Sequence, residues 1–479
     1  MLSKQSSLID DLRNRRYKDA ETASKDLIRA NPLEAQSWVF LGEALMHQGY
    51  GDAANKVFQR AWLLDPEATW VAPILHTLKS VPLGDERVDI EGLLRVRKVT
   101  ITAGIISCNM EDTIVRCLES LQGAVDHIVL LDCSTDRTAE LASQFANVRV
   151  IPFVWEDDFA AARNRGLTHM TTDWVFWMDA DEFLIKEDVD TIREVAGLYH
   201  DSPLPVILCL WQINFIQGQL KHNFAQTRIF PLRRGLRYWG RVHEQVGTEL
   251  GLYHAEASRH KVKVRVFHDG YEPEIMASKG KIDRNLSLLR MMIQEEPGNP
   301  AWWFYQGREL LGAGQQEEAV KSLIEAERKA GTQPLFGRLL EIYKFLIDIY
   351  FLRRDWKKAE LYCKKALDYQ SDFPDAHYML AQVRMKQADQ LYKDAELGLQ
   401  QAKEAFHSFR SIVAPDHEIA EWKSDAGLGD IAFRSGKLAM ARKCYSNVSR
   451  KNNASLTNVI SKKLAAIEAE RQRLNQQSE

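Results

Sequence analysis

Trp174-Val175-Phe176-Trp177-Met178-Asp179-Ala180-Asp181-Glu182 is an apolar run that ends in acid. Its first five residues are bulky and uncharged, and read as a short strand buried on both faces. The four that follow place carboxylates at the carboxyl end of that strand. In an extended segment residues i and i+2 point the same way, so Asp179 and Asp181 are expected to face one ligand while small Ala180 turns into the core. Two such carboxylates suit a hard divalent cation, Mg²⁺ or Mn²⁺, which keeps open positions for phosphate oxygens. Paired aspartates on a loop are more often a solvated surface; the buried strand before them argues for the ligand reading.

Upstream of this run the hydrophobic period switches repeatedly between 2 and 3.6. Val99 to Ser107 reads as a strand, Asp112 to Leu121 as a helix and His127 to Leu131 as a strand. Asp136 caps a helix through Phe145, Val148 to Pro152 is extended, and Asp158 caps a helix to Met170. Strand-helix-strand order makes an open, mostly parallel, Rossmann-like sheet, which binds ligands at the carboxyl ends of its strands. Val206 to Phe215, Gln226 to Phe230 and Lys261 to His268 read as later, more antiparallel strands.

Four stretches carry a family resemblance: Ile105-Ile106-Ser107-Cys108-Asn109-Met110-Glu111, Leu131-Asp132-Cys133-Ser134-Thr135-Asp136-Arg137-Thr138, Trp155 to Asn164, and Trp174 to Glu182. In order and spacing they resemble family 2 glycosyltransferases of GT-A fold over about residues 98–293. The subgroup fused to tetratricopeptide repeats, which includes the sublancin-type S-glycosyltransferases, is the most similar. The resemblance implies a nucleotide-sugar donor, UDP-sugar favoured, a divalent metal at Asp179 and Asp181, and inversion at the anomeric carbon. It also implies a donor site of Ser107, Asn109, Glu111, Asp132, Asp136, Arg163, Asn164, Asp179 and Ala180. Asp132 would contact the nucleoside, Asp136 would belong to the turn beneath it, and Arg163 and Asn164 would lie beside the sugar diphosphate. A guanidinium grips phosphate through two parallel hydrogen bonds, which gives Arg163 a catalytic part; its plainer alternative is a salt bridge on a helix surface.

Gly240-Arg241-Val242-His243-Glu244 resembles the element that holds the acceptor-activating acid, so Glu244 is the candidate catalytic base. The alternative is that Glu244 and His243 only brace the acceptor wall. His268 matches the late histidine that completes the metal site beside the aspartates, against a plain structural histidine at a strand end. Two departures stand out. The turn Asp132-Cys133-Ser134-Thr135-Asp136 lacks the glycine of the usual Asp-x-Gly-Ser-x-Asp, and Cys108 and Met110 replace the first and third members of a Lys-Asn-Glu-Glu run. Arg233, Arg234 and Arg237, interleaved with Tyr238 and Trp239, read either as a positive flap over the diphosphate or as a solvated face.

Both flanks carry a different grammar. Residues 35–68 follow the roughly 34-residue tetratricopeptide pattern, with Trp38, Leu41, Gly42 and Leu45 on one helix, Ala54, Phe58 and Ala61 on the next, and Pro66 closing the unit. A fainter unit before it keeps Ala20, Leu27 and Pro32. The pattern returns with Trp303, Gly307, Leu310, Ala319, Leu323 and Ala326, then Ala359, Cys363 and Ala366 before Pro374, and again around Leu428, Gly429, Ala441 and Tyr445. The expected organisation is repeats over 1–80, the α/β catalytic domain over 98–293, and repeats with a helical tail over 297–479. Stacked repeats form a solenoid, whose concave face would dock a protein or peptide partner, or would serve only as a scaffold.

A chain of 479 residues exceeds one hydrophobic core. A net charge of −3, with 27% charged residues, gives no nucleic-acid signature. Six scattered cysteines, the absence of a signal-peptide core near the start and the absence of a long apolar run point to a cytoplasmic protein without a transmembrane segment. The competing readings are an interaction scaffold with an inactive transferase domain, and a transferase acting on a lipid-linked glycan through peripheral docking.

Overall fold

The computed structural model describes residues 2–216, 218–268, 279–450 and 454–476; the run Asp269-Gly270-Tyr271 and the end of the polar tail lie outside them. The chain forms two compact units, Met1–Gly337 and Arg338–Glu479.

The first unit begins with α1 (Leu2–Arg13), α2 (Tyr17–Ala30), α3 (Ala35–His47) and α4 (Gly51–Leu64). Trp38, Leu41, Leu45, Ala54, Phe58 and Ala61 are buried between them. The Trp38 indole N–H donates to Pro32 O at 2.9 Å. A Cβ on Gly42 would lie 2.8 Å from the Phe58 ring, so only glycine lets α3 and α4 come this close. In the fainter unit Ile28, rather than Leu27, fills the buried position. Two short helices, α5 (Val71–Leu78) and α6 (Val88–Leu94), lead into the sheet.

The sheet alternates with helices: β1 (Ile101–Ser107), α7 (Ile114–Ser120), β2 (His127–Asp132), α8 (Thr138–Ala142), β3 (Val148–Pro152), α9 (Phe159–Leu167) and β4 (Trp174–Trp177). After β4 come β5 (Glu182–Leu184), α10 (Thr191–Tyr199), β6 (Val206–Ile216), β7 (Gln219–Pro231) and β10 (Ser258–His268), while β8 (Leu236–Trp239) and β9 (Gln245–Thr248) form a separate hairpin. β1 to β4 pair in parallel. β7 runs antiparallel to β4 and to β6. β10, expected to be antiparallel, is so only to β5; it runs parallel to β6. Alternation along β4 sends Trp174 and Phe176 to one face, among Ile114, Leu118, Ile192 and Val195, and Val175 and Trp177 to the other, against Ala160, Phe230 and Tyr238.

The strand order β3-β2-β1-β4-β7-β6-β10-β5 puts β4 and β5 four places apart. In a flat sheet that is about 19 Å, at about 4.8 Å per strand. The chain from Trp177 to Glu182 spans at most about 18 Å fully stretched, and a bond from Glu182 N to Asp179 O (3.0 Å) folds part of it into a turn. The sheet therefore curls, and the acidic turn ties its middle to its edge.

Among the described residues three more helices follow in this unit: α11 (Lys279–Glu295), α12 (Pro300–Gly312) and α13 (Gln316–Ala330). Here Trp302 is the fully buried indole, whereas Trp303 is half-buried and donates to Pro297 O at 3.0 Å, as Trp38 does to Pro32. Gly307 lies against Leu323 as Gly42 lies against Phe58. N-terminal helix α4 packs on β10: Trp62 lies under the Lys263 ammonium (4.4 Å) and the Arg265 guanidinium (5.7 Å), and Glu67 pairs with Lys261.

The second unit contains α14 (Leu339–Leu352), α15 (Trp356–Tyr369), α16 (Pro374–Ser408), α17 (Ser424–Arg434), α18 (Leu438–Ser449) and α19 (Ala454–Gln476). Ala359, Cys363 and Ala366 are buried, and Tyr350 stacks on Tyr362 at 5.6 Å. Instead of another helix pair after Pro374, α16 is one helix of 35 residues, with no proline after its first position and a single glycine, Gly398, inside it. Among the described residues no helix is long and apolar enough to cross a membrane.

Candidate active site

At the carboxyl ends of β1 and β2, Ser107 Oγ and Ser134 Oγ both donate to Asp132 Oδ1, each at 2.6 Å. Beyond them two loops are laced together. The amides of Asn109, Met110 and Glu111 donate to Ser134 Oγ, Thr138 Oγ1 and Asp136 Oδ2 (2.8, 2.8 and 3.2 Å). In return Asn109 Oδ1 accepts from Thr135 N at 2.9 Å and Glu111 Oε2 from Arg137 N at 3.3 Å. Asp136 also accepts from Thr138 N (2.9 Å); against its desolvation, the Thr138 hydroxyl and amide hold its carboxyl below the usual range. The missing glycine now has a reason. No residue from 132 to 136 has positive φ, so this turn does not need a glycine; the left-handed position in these loops is Asn109 (φ 55°), a residue type that tolerates it.

Arg163 comes from α9, whose N-terminus is capped by Asp158 accepting from Ala161 N at 2.8 Å. The helix presses on Trp177, since a Cβ on Gly166 would lie 2.7 Å from that ring. Arg163 is 2% exposed, so the surface salt bridge does not form. Its guanidinium lies over Trp177 (5.0 Å) and Tyr238 (5.4 Å) and divides one edge between two carboxylates: Nε donates to Glu244 Oε1 at 2.8 Å and Nη2 to Asp179 Oδ1 at 2.9 Å. Asn164 gives its amide to the β8 backbone, donating to Tyr238 O (3.0 Å) and accepting from Tyr238 N (2.8 Å).

The acidic segment is a turn rather than an extended claw, and its two aspartates find different partners. Asp179 accepts Arg228 Nη1 and Nη2 at 2.8 and 2.5 Å in addition to Arg163. Against the cost of desolvation, the charges of Arg228 and Arg163 hold its carboxyl well below the usual range. Ala180 is buried, as expected. Glu182 is also buried; its carboxyl, raised by burial and by neighbouring Asp179, accepts from Asp179 N at 2.9 Å and from Gln212 Nε2 at 2.5 Å.

Asp181 Oδ2 instead meets His268 Nε2 at 3.2 Å, and His268 Nδ1 meets Asn214 Oδ1 at 3.1 Å. An amide oxygen at Nδ1 only accepts, so the ring donates there and turns its other nitrogen to Asp181. Burial opposes a charged imidazole, but the Asp181 hydrogen bond raises its pKa on balance. One carboxylate oxygen and one imidazole nitrogen facing each other fit Mn²⁺ or Mg²⁺ with substrate phosphate and water as the other ligands. Among the described residues no three His, Cys, Asp or Glu gather as a closed cage.

Two residues escaped the sequence reading. Arg228 stands one position beyond the last β4–β7 pair, Phe176↔Ile229, which puts it level with the carboxyl end of β4; only the strand register places it there. The same register carries Arg233 and Arg234 to the opposite end of β4, near Trp174↔Pro231, so they form no flap over the site. Glu309 is the other. Its Oε1 bonds His243 Nε2 at 2.9 Å while Arg308 meets the same ring and Tyr305 stacks on it at 4.6 Å, and burial lowers the His243 pKa. The preceding Gly240 (φ 96°) lies against Trp302, where a Cβ would come within 2.6 Å. Helix α12 thus fixes the backbone that delivers Glu244.

Residues 102–223 match the family model described as Glycosyl transferase family 2, and residues 9–68 match a tetratricopeptide repeat model. The SPbeta prophage-derived glycosyltransferase SunS of Bacillus subtilis is 29% identical over 281 residues, 58% of this chain and 63% of that protein. This chain therefore spans less than two thirds of that relative. A TPR repeat-containing protein of Synechococcus elongatus is 26% identical over 224 residues, 46% of this chain and 54% of that one. Among solved structures, S. aureus TarS 1-349 in complex with UDP-GlcNAc aligns at 13% identity and a TM-score of 0.33, covering 57% of this chain and 93% of that one. The stretch that carries the four motifs, residues 102–223, is thus similar to glycosyl transferase family 2, and residues 9–68 are similar to a tetratricopeptide repeat.

Proposed function

We propose that this protein transfers a sugar, with inversion, from a nucleotide diphosphate donor, UDP favoured, to an acceptor, using a divalent cation held by Asp181 and His268. The observation that carries the reading is the single guanidinium edge of Arg163, which holds Glu244 and Asp179 together at the carboxyl end of β4. Inversion requires one base on the acceptor side. Glu244 gives Oε1 to Arg163, and among the described residues no hydrogen bond reaches Oε2, which is left to take the acceptor's proton. The bound cation would offset charge developing on the leaving diphosphate. The trio Ser107, Asp132 and Ser134, with the laced loops beyond it, forms the nucleoside side. The acceptor is a protein or peptide presented by the repeats, and six cysteines scattered without paired spacing support a reducing, cytoplasmic setting.

One observation favours an inactive scaffold instead: Asn109, Glu111 and Asp136 spend hydrogen bonds on each other's loops. Incubation of the purified protein with a panel of nucleotide sugars, read as release of nucleoside diphosphate with and without Mn²⁺, decides between the two. Metal-dependent release from one donor is expected, and no release from any donor refutes the transferase.

A further inference from the structure

Asp179 is held by two arginines, but not equally. Arg228, from β7, grips both oxygens; Arg163, from α9, donates to Oδ1 alone. A guanidinium beside a carboxylate favours a two-pronged grip. Arg163 makes none here, because Oδ2 belongs to Arg228 and because Trp177 and Tyr238 fix the plane of its guanidinium. Its Nε is thereby left for Glu244. The Arg163, Arg228 and Glu244 side chains are only 3%, 7% and 14% exposed, while Asp179 between the two arginines is 41% exposed, so water screens this cluster chiefly at Asp179. Two cations serve Asp179 and Glu244, with the buried Glu182 carboxyl beside Asp179; without Arg228, one cation would serve them all.

We propose that Arg228 is a positioning residue for transfer: by saturating Asp179 it frees Arg163 to aim Glu244 at the acceptor. The hydrogen bonds that connect Arg228 to Glu244 run along the chain Arg228–Asp179–Arg163–Glu244. The inference rests on the reading of Glu244 as the acceptor base.

A kinetic double-mutant cycle tests it, because a relay gives non-additive costs whereas a purely structural loss adds. Glu244→Gln should lower kcat by about 10²–10⁴-fold. Arg228→Met should lower kcat by about 10–100-fold in the parent with donor KM changed less than about 3-fold, yet cost less than about 3-fold in the Glu244→Gln background. Arg228→Lys, which keeps the charge but not the fork, should fall between parent and Met. It also carries the cycle if the Met variant melts early. Equal costs in both backgrounds, or an effect confined to KM, overturn the inference while leaving the transferase intact. A parent that transfers nothing from any donor removes the base itself, and the inference falls with it.

Discussion

Asp181 meets His268 through one oxygen and one nitrogen, while Asp179, two residues earlier, is given over to arginines. On the proposed function, this division leaves the cation to Asp181. Asp181→Asn should keep the fold, since its side chain is 37% exposed at a turn, and should abolish the Mn²⁺-dependent part of nucleoside diphosphate binding. Calorimetry checks this: an Mn²⁺-supported UDP affinity equal to the parent's would remove Asp181 from the metal site. The turn's place at the carboxyl end of a buried strand was legible, because the apolar run stops where the carboxylates begin, but the side-chain partners were not. They depend on Arg228, which reaches Asp179 only through antiparallel pairing with a strand some fifty residues later, and no local period encodes that register.

At the scale of the element, the helix pairs of the repeats meet through a glycine on one helix and a bulky side chain on the next: Gly42 with Phe58, Gly307 with Leu323 and Gly429 with Tyr445, at one constant spacing. The constancy made these pairs readable from sequence, because each unit solves the same packing problem with its own residues. Trp38 fills the space beside the first of them, so Trp38→Ala should cost about 3–5 kcal/mol, the usual result of emptying a large aromatic site. A urea titration followed by circular dichroism measures it, and an unchanged midpoint would show that Trp38 is not the filler. Legibility failed where a helix serves two neighbours. On α12 the motif tryptophan, Trp303, is half-buried, because its neighbour Trp302 is drawn under Gly240 of the sheet domain. Likewise α16 runs on as one helix where repeat units were expected, since after Pro374 it holds no proline and its one glycine, Gly398, does not break it.

Across the first unit the N-terminal repeats are joined to the last strand of the sheet. Trp62 of α4 lies under Lys263 and Arg265 of β10, and Arg60 bonds Glu194 at 2.6 Å. Trp62→Ala removes two cation–π contacts worth about 0.5–2 kcal/mol each and should lower the melting of repeats and sheet together. Calorimetry that resolves a shifted repeat transition beside an unshifted sheet transition would deny the coupling. The same join has a consequence in time. Glu67 and Lys261, which pair across it, are 194 residues apart in the chain. At the roughly 5–20 residues per second of protein synthesis, the repeats emerge roughly 10–40 s before β10 exists to cover Trp62. Through that interval the nascent chain carries Trp62 without the two cations that later cover it, and each ribosome on the message holds another copy of it.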